Sequence, residues 1–358
     1  MDTNTQNKDL DLDTQRKNIL VTGGAGFIGS HLCKKLLEDK NNYVICLDNL
    51  ITGNIKNIQK LIENCNKDGD KRFKFIKQNV IHLDTISQSP DFSEIKHLDE
   101  IYHLACIASP DKYMLYSIET LDTCFSGTRQ VLELAKLFGS KVLFSSTSEV
   151  YGDPLIHPQP ETYYGNVNTM GCRSCYDEGK RIAETLIYEY RRKYGVNAKV
   201  IRIFNTYGPY MDINDGRVIT NFIKQIMREE PLKIYGTGLQ TRSFCYVDDL
   251  VKGIVSMMES DEMGPINLGN PYCEFTLIDL IEKFETILGK KLDFQFLDAT
   301  ENDPKQRKPD ISLAREKLGF EPNVDLLDGL RKTYEYFTLE NIKSVSYTHL
   351  TLPTKRIV

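Results

Sequence analysis

Tyr176 and Lys180 stand four residues apart in Tyr176-Asp177-Glu178-Gly179-Lys180, a spacing that places both side chains on one face of a helix. Arg173 lies one turn earlier on that face. A phenol, with an ordinary pKa of about 10, is a poor base near neutrality. A neighbouring ammonium favours the phenolate and makes it usable for proton abstraction. Upstream, Ser145-Ser146-Thr147-Ser148-Glu149 closes a candidate strand, and Thr147 is the hydroxyl that would complete a trio with Tyr176 and Lys180. Alone, a YxxxK is equally well an exposed helix face. Its company gives it meaning.

That company begins with Gly23-Gly24-Ala25-Gly26-Phe27-Ile28-Gly29, which reads GxxGxxG. Glycine is needed where a chain turns tightly, where backbone approaches a pyrophosphate and where a helix packs closely on a sheet. The segment follows an apolar run, Asn18 to Thr22, and opens a helical pattern from about Gly26 to Glu38, so free N–H groups and the positive dipole end face the phosphates. Asp48 ends the next apolar run, Tyr43 to Asp48, with Asn49 behind it. A carboxylate there accepts hydrogen bonds from the adenosine ribose and repels a 2′-phosphate, which favours NAD over NADP. The plainer alternative is a structural glycine turn with a strand-end aspartate.

The elements that must hold these groups follow one rhythm. Further apolar runs at Phe73–Ile76, Glu100–Leu104, Lys141–Phe144 and Lys199–Phe204 are separated, in the later part, by long helical patterns at Leu121–Phe138 and Tyr176–Lys193. Strands alternating with helices predict an α/β fold, a doubly wound Rossmann-type parallel sheet with a smaller C-terminal substrate lobe. The expected NAD-binding domain covers 18–205 with a return segment at about 236–265. The substrate lobe covers 206–235 and 266–337, placed over the carboxyl ends of the strands. Residues 1–17 are polar and read as a disordered tail, neither signal peptide nor anchor, which fits a cytoplasmic protein. Residues 344–358 (SVSYTHLTLPTKRIV) fit no element and look like adapter read-through, a non-native tail.

A net charge of −5 without a basic block argues against a nucleic-acid partner, and no apolar stretch is long enough to span a membrane. The nine cysteines are irregularly spaced and read as reduced thiols. Cys172 and Cys175 form a lone CxxC without a second ligand pair, so no metal is expected.

From about Asn18 to Phe337 the sequence resembles the extended short-chain dehydrogenases, and within them the UDP-glucuronate decarboxylases. The segments that carry the resemblance include VTGGAGFIGSHL at 21–32, SSTSEVYGDP at 145–154, CYDEGKRIAE at 175–184, RIFNTYGPYM at 202–211 and DPKQRKPDI at 303–311. The resemblance implies a mechanism. NAD takes a hydride from C4 of the glucuronosyl ring while Tyr176 takes the hydroxyl proton, the resulting β-keto acid loses CO2, and the hydride returns to give UDP-xylose. It also implies roles. Ser148-Glu149 replaces the Asp-Glu pair of sugar 4,6-dehydratases, with Glu149 near C5 and the carboxylate, where like charge encourages carboxylate loss. Arg307 matches an arginine beside the sugar carboxylate, its plain alternative being a salt bridge that ties the lobes. Tyr113 and Arg173 match positions beside the glucuronate. Asn205, Arg217, Tyr235 and Arg242 match positions holding the uridine and diphosphate. Asn79, Val80, Leu104 and Thr123 match cofactor-side positions. Asn79 stands where relatives carry aspartate, and Cys106, Ile107 and Cys124 stand where they carry Ser, Pro and Asn. The resemblance further implies a homodimer built through the two long helical patterns. Competing readings are a nucleotide-sugar 4-epimerase, a 4,6-dehydratase and a catalytically silent NAD-binding scaffold.

Overall fold

The computed structural model describes residues 16–67, 71–83, 95–298 and 306–350. Six strands follow the predicted runs within a residue or three: β1 Lys17–Thr22, β2 Asn42–Asp48, β3 Phe73–Lys77, β4 Glu100–His103, β5 Lys141–Thr147 and β6 Ala198–Ile203. With Ile266–Leu268 they form one seven-stranded sheet in the order 266–268, β6, β5, β4, β1, β2, β3, every pairing parallel. Both faces of such a sheet are covered, so its central strands carry apolar runs such as those at 19–21, 44–47 and 142–144. Ile19 and Val21 enter one core cluster and Leu20, between them, the other, as a two-residue period dictates.

The order reverses between β1 and β4, and ligands of such sheets sit beyond the strand ends at that crevice. The glycine loop leaves β1 there and Leu104–Ala108 leaves β4 beside it. The helix after the loop is Phe27–Leu36 (α1), and the YxxxK helix is Ser174–Tyr194 (α2), stopped by Gly195 in the left-handed region at φ 67°.

Three boundaries differ from expectation. Ile266–Leu268 belongs to the main sheet rather than the substrate lobe, because it pairs with Ile201–Ile203 of β6. The helix expected over 121–138 is interrupted. Ser117–Asp122 and Thr128–Phe138 are α-helical, and Thr123–Gly127 is a wider π turn. Here Gly127 crosses so near Val80 that a Cβ would lie 2.7 Å from Val80 Cγ1. The last helix runs Leu326–Leu350, so the first seven residues of the segment set aside as a tail continue it. Residues 351–358, like 1–15, lie outside the described residues, while Arg16 and Lys17 of the N-terminal tail are described and Lys17 begins β1.

The substrate lobe carries small sheets. Thr241–Ser243 lies between Glu274–Thr276 and Gln306–Arg307, which brings Arg307 beside Arg242 in register. Leu232–Tyr235 pairs with Phe294–Leu297. Among the described residues no helix is long and apolar enough to cross a membrane.

Candidate active site

A cleft of about 1130 Å³ opens at the switch point, and every site residue named from the sequence lines it. The glycines are there for want of room. Gly23 has φ +72°, and a Cβ on it would lie 2.8 Å from Ala105 N, while a Cβ on Gly29 would lie 2.1 Å from Gly23 O. No side chain caps α1, so its first-turn N–H groups are left for an anion at the cleft wall. Asp48 is buried. Its Oδ2 accepts from Ala25 N at 3.0 Å and its Oδ1 from Leu50 N at 2.8 Å. Burial pushes its carboxyl up, and those backbone donors pull it back. Each oxygen keeps a lone pair for a ribose hydroxyl. The residues present therefore fit a dinucleotide. Asn79 departs in detail: its Oδ1 caps the turn Val80–His82 by accepting from Ile81 N at 3.2 Å, leaving one lone pair for adenine.

Tyr176 is buried and stacks on Tyr113, centroids 5.0 Å apart and planes 3° from parallel. Among the described residues the Tyr113 hydroxyl has no hydrogen-bond partner. Burial drives the Tyr176 phenol well above its ordinary pKa, opposed by a hydrogen bond with Thr147 and the charge of Arg217. Lys180 Nζ donates to Ser145 O at 2.7 Å and lies 5.9 Å from the Tyr176 ring centroid.

Glu149 is held on both sides, Oε1 by Arg307 Nη1 and Oε2 by Arg173 Nη2 at 2.7 Å. Burial raises its pKa, but the two guanidiniums outweigh it and hold the group at about 2. Glu149 is thus ionised, and the Arg173–Glu149–Arg307 trio itself sums to one positive charge, with the Asp177 carboxyl beside it raised to about 7 by burial and by Glu149. Arg307 also donates to Ser148 Oγ at 3.3 Å and Gly152 O at 2.8 Å, so it ties the lobes and faces the cleft at once. Among the described residues its Nε has no hydrogen-bond partner.

Arg217 donates from Nη1 to Asp215 Oδ2 (3.0 Å) and from Nη2 to Ala108 O (2.9 Å). Sequence reading missed Asp215, which also accepts from Arg217 N and from Thr220 Oγ1. The Asn214-Asp215-Gly216 turn was its only signal. Among the described residues no cluster of three ligating side chains could hold a metal. Cys172 is exposed and Cys175 half-buried, both free thiols.

Residues 19–269 match the model of the NAD dependent epimerase/dehydratase family. The chain belongs to that family. It is 50% identical over 321 residues to UDP-glucuronic acid decarboxylase 5 of Arabidopsis thaliana, covering 90% of this chain and 89% of that one. To UDP-glucuronic acid decarboxylase 1 of Danio rerio it is 46% identical over 328 residues, covering 92% and 74%. Among solved structures, it superposes on UDP-glucuronic acid 4-epimerase from Bacillus cereus in complex with UDP-glucuronic acid and NAD, with a TM-score of 0.79, 32% identity and coverage of 90% and 99%. UDP-glucose 4-epimerase of Thermotoga maritima gives a TM-score of 0.81 at 31% identity, covering 90% and 99%.

Proposed function

We propose that this enzyme converts UDP-glucuronate to UDP-xylose and CO2. The observation that carries the reading is the positively charged Arg173–Glu149–Arg307 trio, set one helical turn from Tyr176 and across from Thr147. It supports recognition of a carboxylate beside a group that can take a hydroxyl proton. The names of the relatives support the same reading.

When bound, NAD supplies the reversible two-electron oxidation at C4. Thr147 orients the C4 hydroxyl and Tyr176 takes its proton, later returning it. The ketone then lies beta to the carboxylate, and its oxygen, hydrogen-bonded by Tyr176, takes up the electrons as the C–C bond to CO2 breaks; the enolate so formed takes a proton at C5, and C4 is then reduced again. Arg307 and Arg173 orient the carboxylate before it leaves. Burial of the trio keeps water from competing for its charges. Arg242, Arg217, Asn205 and Tyr235 line the part of the cleft assigned to uridine and diphosphate.

The test is mass spectrometry of the sugar nucleotide after incubation with the purified enzyme. UDP-glucuronate loses the mass of CO2, and UDP-glucose and dTDP-glucose are unchanged. An isomer of unchanged mass would instead mean 4-epimerisation, the reading favoured by likeness to the Bacillus cereus enzyme. Loss of water from a neutral hexose would mean dehydration, which Ser148 argues against.

NAD binds at least about tenfold more tightly than NADP, one step of roughly 1.4 kcal/mol, because Asp48 faces the ribose. Asp48→Ala narrows the gap in a titration. Equal affinities in the unmodified protein would remove Asp48 from that role. The proposed assembly is a cytoplasmic homodimer, supported by exposed Phe125 and Leu137 on one helical stretch and Ile182 and Tyr188 on α2.

A further inference from the structure

We propose that Cys106 and Cys124 form a redox-reactive dithiol in the wall of the cleft, oxidised by hydroperoxides to a Cys106–Cys124 disulfide. The two sulfurs lie 3.3 Å apart, so about 1.3 Å of approach would bring them to the usual S–S bond length of about 2.05 Å. Cys106 follows β4, is half-buried and lines the cleft, where a small oxidant can reach it. Cys124 is buried at the start of the π turn Thr123–Gly127. Behind it lies α2 at Gly179, where a Cβ would be 3.1 Å from Cys124 Sγ. Only a glycine there leaves room for the Cys124 side chain.

The surroundings divide the two roles. The two thiols share one hydrogen bond in which either sulfur can donate; with Cys124 donating, and with help from the Lys180 ammonium against the opposing effect of burial, Cys106 is brought down to about 7. Cys124 is pushed well up by the same hydrogen bond and by burial. Cys106 is therefore the attacking thiolate and Cys124 the resolving thiol. The Cys106 sulfur gives its electron pair to one peroxide oxygen, the O–O bond breaks, and the other oxygen leaves with protons as water. The sulfenic acid so formed is attacked by Cys124. Its hydroxyl leaves as a second water with the Cys124 proton, and the S–S bond closes. Two thiols lose two electrons and the peroxide gains them.

No other pair meets both conditions. Cys33 and Cys46 are fully buried beneath the glycine loop, and no contact joins the Cys172 and Cys175 sulfurs among the hydrogen bonds of the described residues. The dithiol also touches the chemistry, since the Lys180 ammonium lies close enough to lower the pKa of the Cys106 thiol. Oxidation takes that negative charge away.

The purified chain, treated with stoichiometric hydrogen peroxide, is alkylated, digested without reductant and mapped by mass spectrometry. The expected result is a linked peptide pair containing Cys106 and Cys124, two hydrogens lighter than the sum and released by a dithiol reductant. In Cys124→Ser the link is absent and Cys106 is trapped as sulfenic acid by a 1,3-dione. On the unmutated protein, alkylation of Cys106 at pH 7 proceeds at about half its limiting rate at high pH, where an ordinary thiol near 8.5 would reach only a few per cent. Unmodified Cys106 after peroxide, or a Cys172–Cys175 link in its place, would overturn the proposal. None of these readouts depends on the sugar-nucleotide reaction.

Discussion

Replacing Tyr176 by phenylalanine lowers the rate of C4 oxidation by about 10²–10⁴-fold, the usual worth of a positioned acid–base group. The ring survives and keeps its stack on Tyr113 at 5.0 Å, so the cleft wall and the binding of NAD and UDP-glucuronate are retained. What is lost is the hydroxyl that pairs with Thr147. The measurement is transient NADH absorbance on mixing the NAD-loaded protein with UDP-glucuronate. The pH dependence follows from the sign of the shift. Burial holds the phenol protonated at neutrality, so the single-turnover rate of the unmodified enzyme climbs as pH rises above neutrality. That of Tyr176→Phe stays flat. A loss below about tenfold, or a pH slope that survives the substitution, would mean that another base takes the proton.

Arg307→Ala lowers CO2 release by about 10–10²-fold, since a charged hydrogen bond contributes about 1.5–3 kcal/mol. The same substitution removes a structural tie. Glu149 keeps only Arg173, and Gly152 O loses its donor, so stability falls by a further ~1–3 kcal/mol for the groups left unpaired in the interior. Kinetics separate the two effects. If Arg307 orients the carboxylate, NADH forms and persists in the variant because oxidation outruns decarboxylation. If Arg307 only braces the lobes, oxidation and CO2 release fall together. The stability difference also has a pH signature. Glu149 lies at about 2 in the fold against an ordinary 4.5, so the contribution of its ion pairs is complete above about pH 4.5. It is lost as pH falls toward 2. The melting-temperature gap between the two proteins is therefore widest near neutrality and closes in acid, as thermal denaturation across pH checks.

Both predictions rest on residues legible in the sequence. YxxxK and GxxGxxG are local patterns. Helical pitch alone puts Tyr176 and Lys180 on one face, and a glycine at φ +72° is a property of a few consecutive residues. Alternation of apolar strands and helices, with β1 and β2 flanking the glycine loop, likewise left little choice but a doubly wound parallel sheet. The break in the helix at Thr123–Gly127 and the place of Ile266–Leu268 in the main sheet were not legible, because each depends on a neighbour far away in the chain, Val80 in one case and β6 in the other.

The chain's own order of residues determined which groups reach the cleft: the glycine loop, Asp48, Thr147, Tyr176, Lys180 and the arginines. Tertiary structure alone decided their electrical state. Arg307 meets Glu149 across 158 positions because Gln306–Arg307 is drawn into a sheet with Thr241–Ser243 and laid against the end of β5. Glu149 is thereby held between two guanidiniums. Lys180 is turned to the Ser145 carbonyl and Cys106 is set against Cys124 for the same reason. Charge and acidity depend on burial and on the nearest opposite group, and those are distances in space that spacing along a chain does not contain.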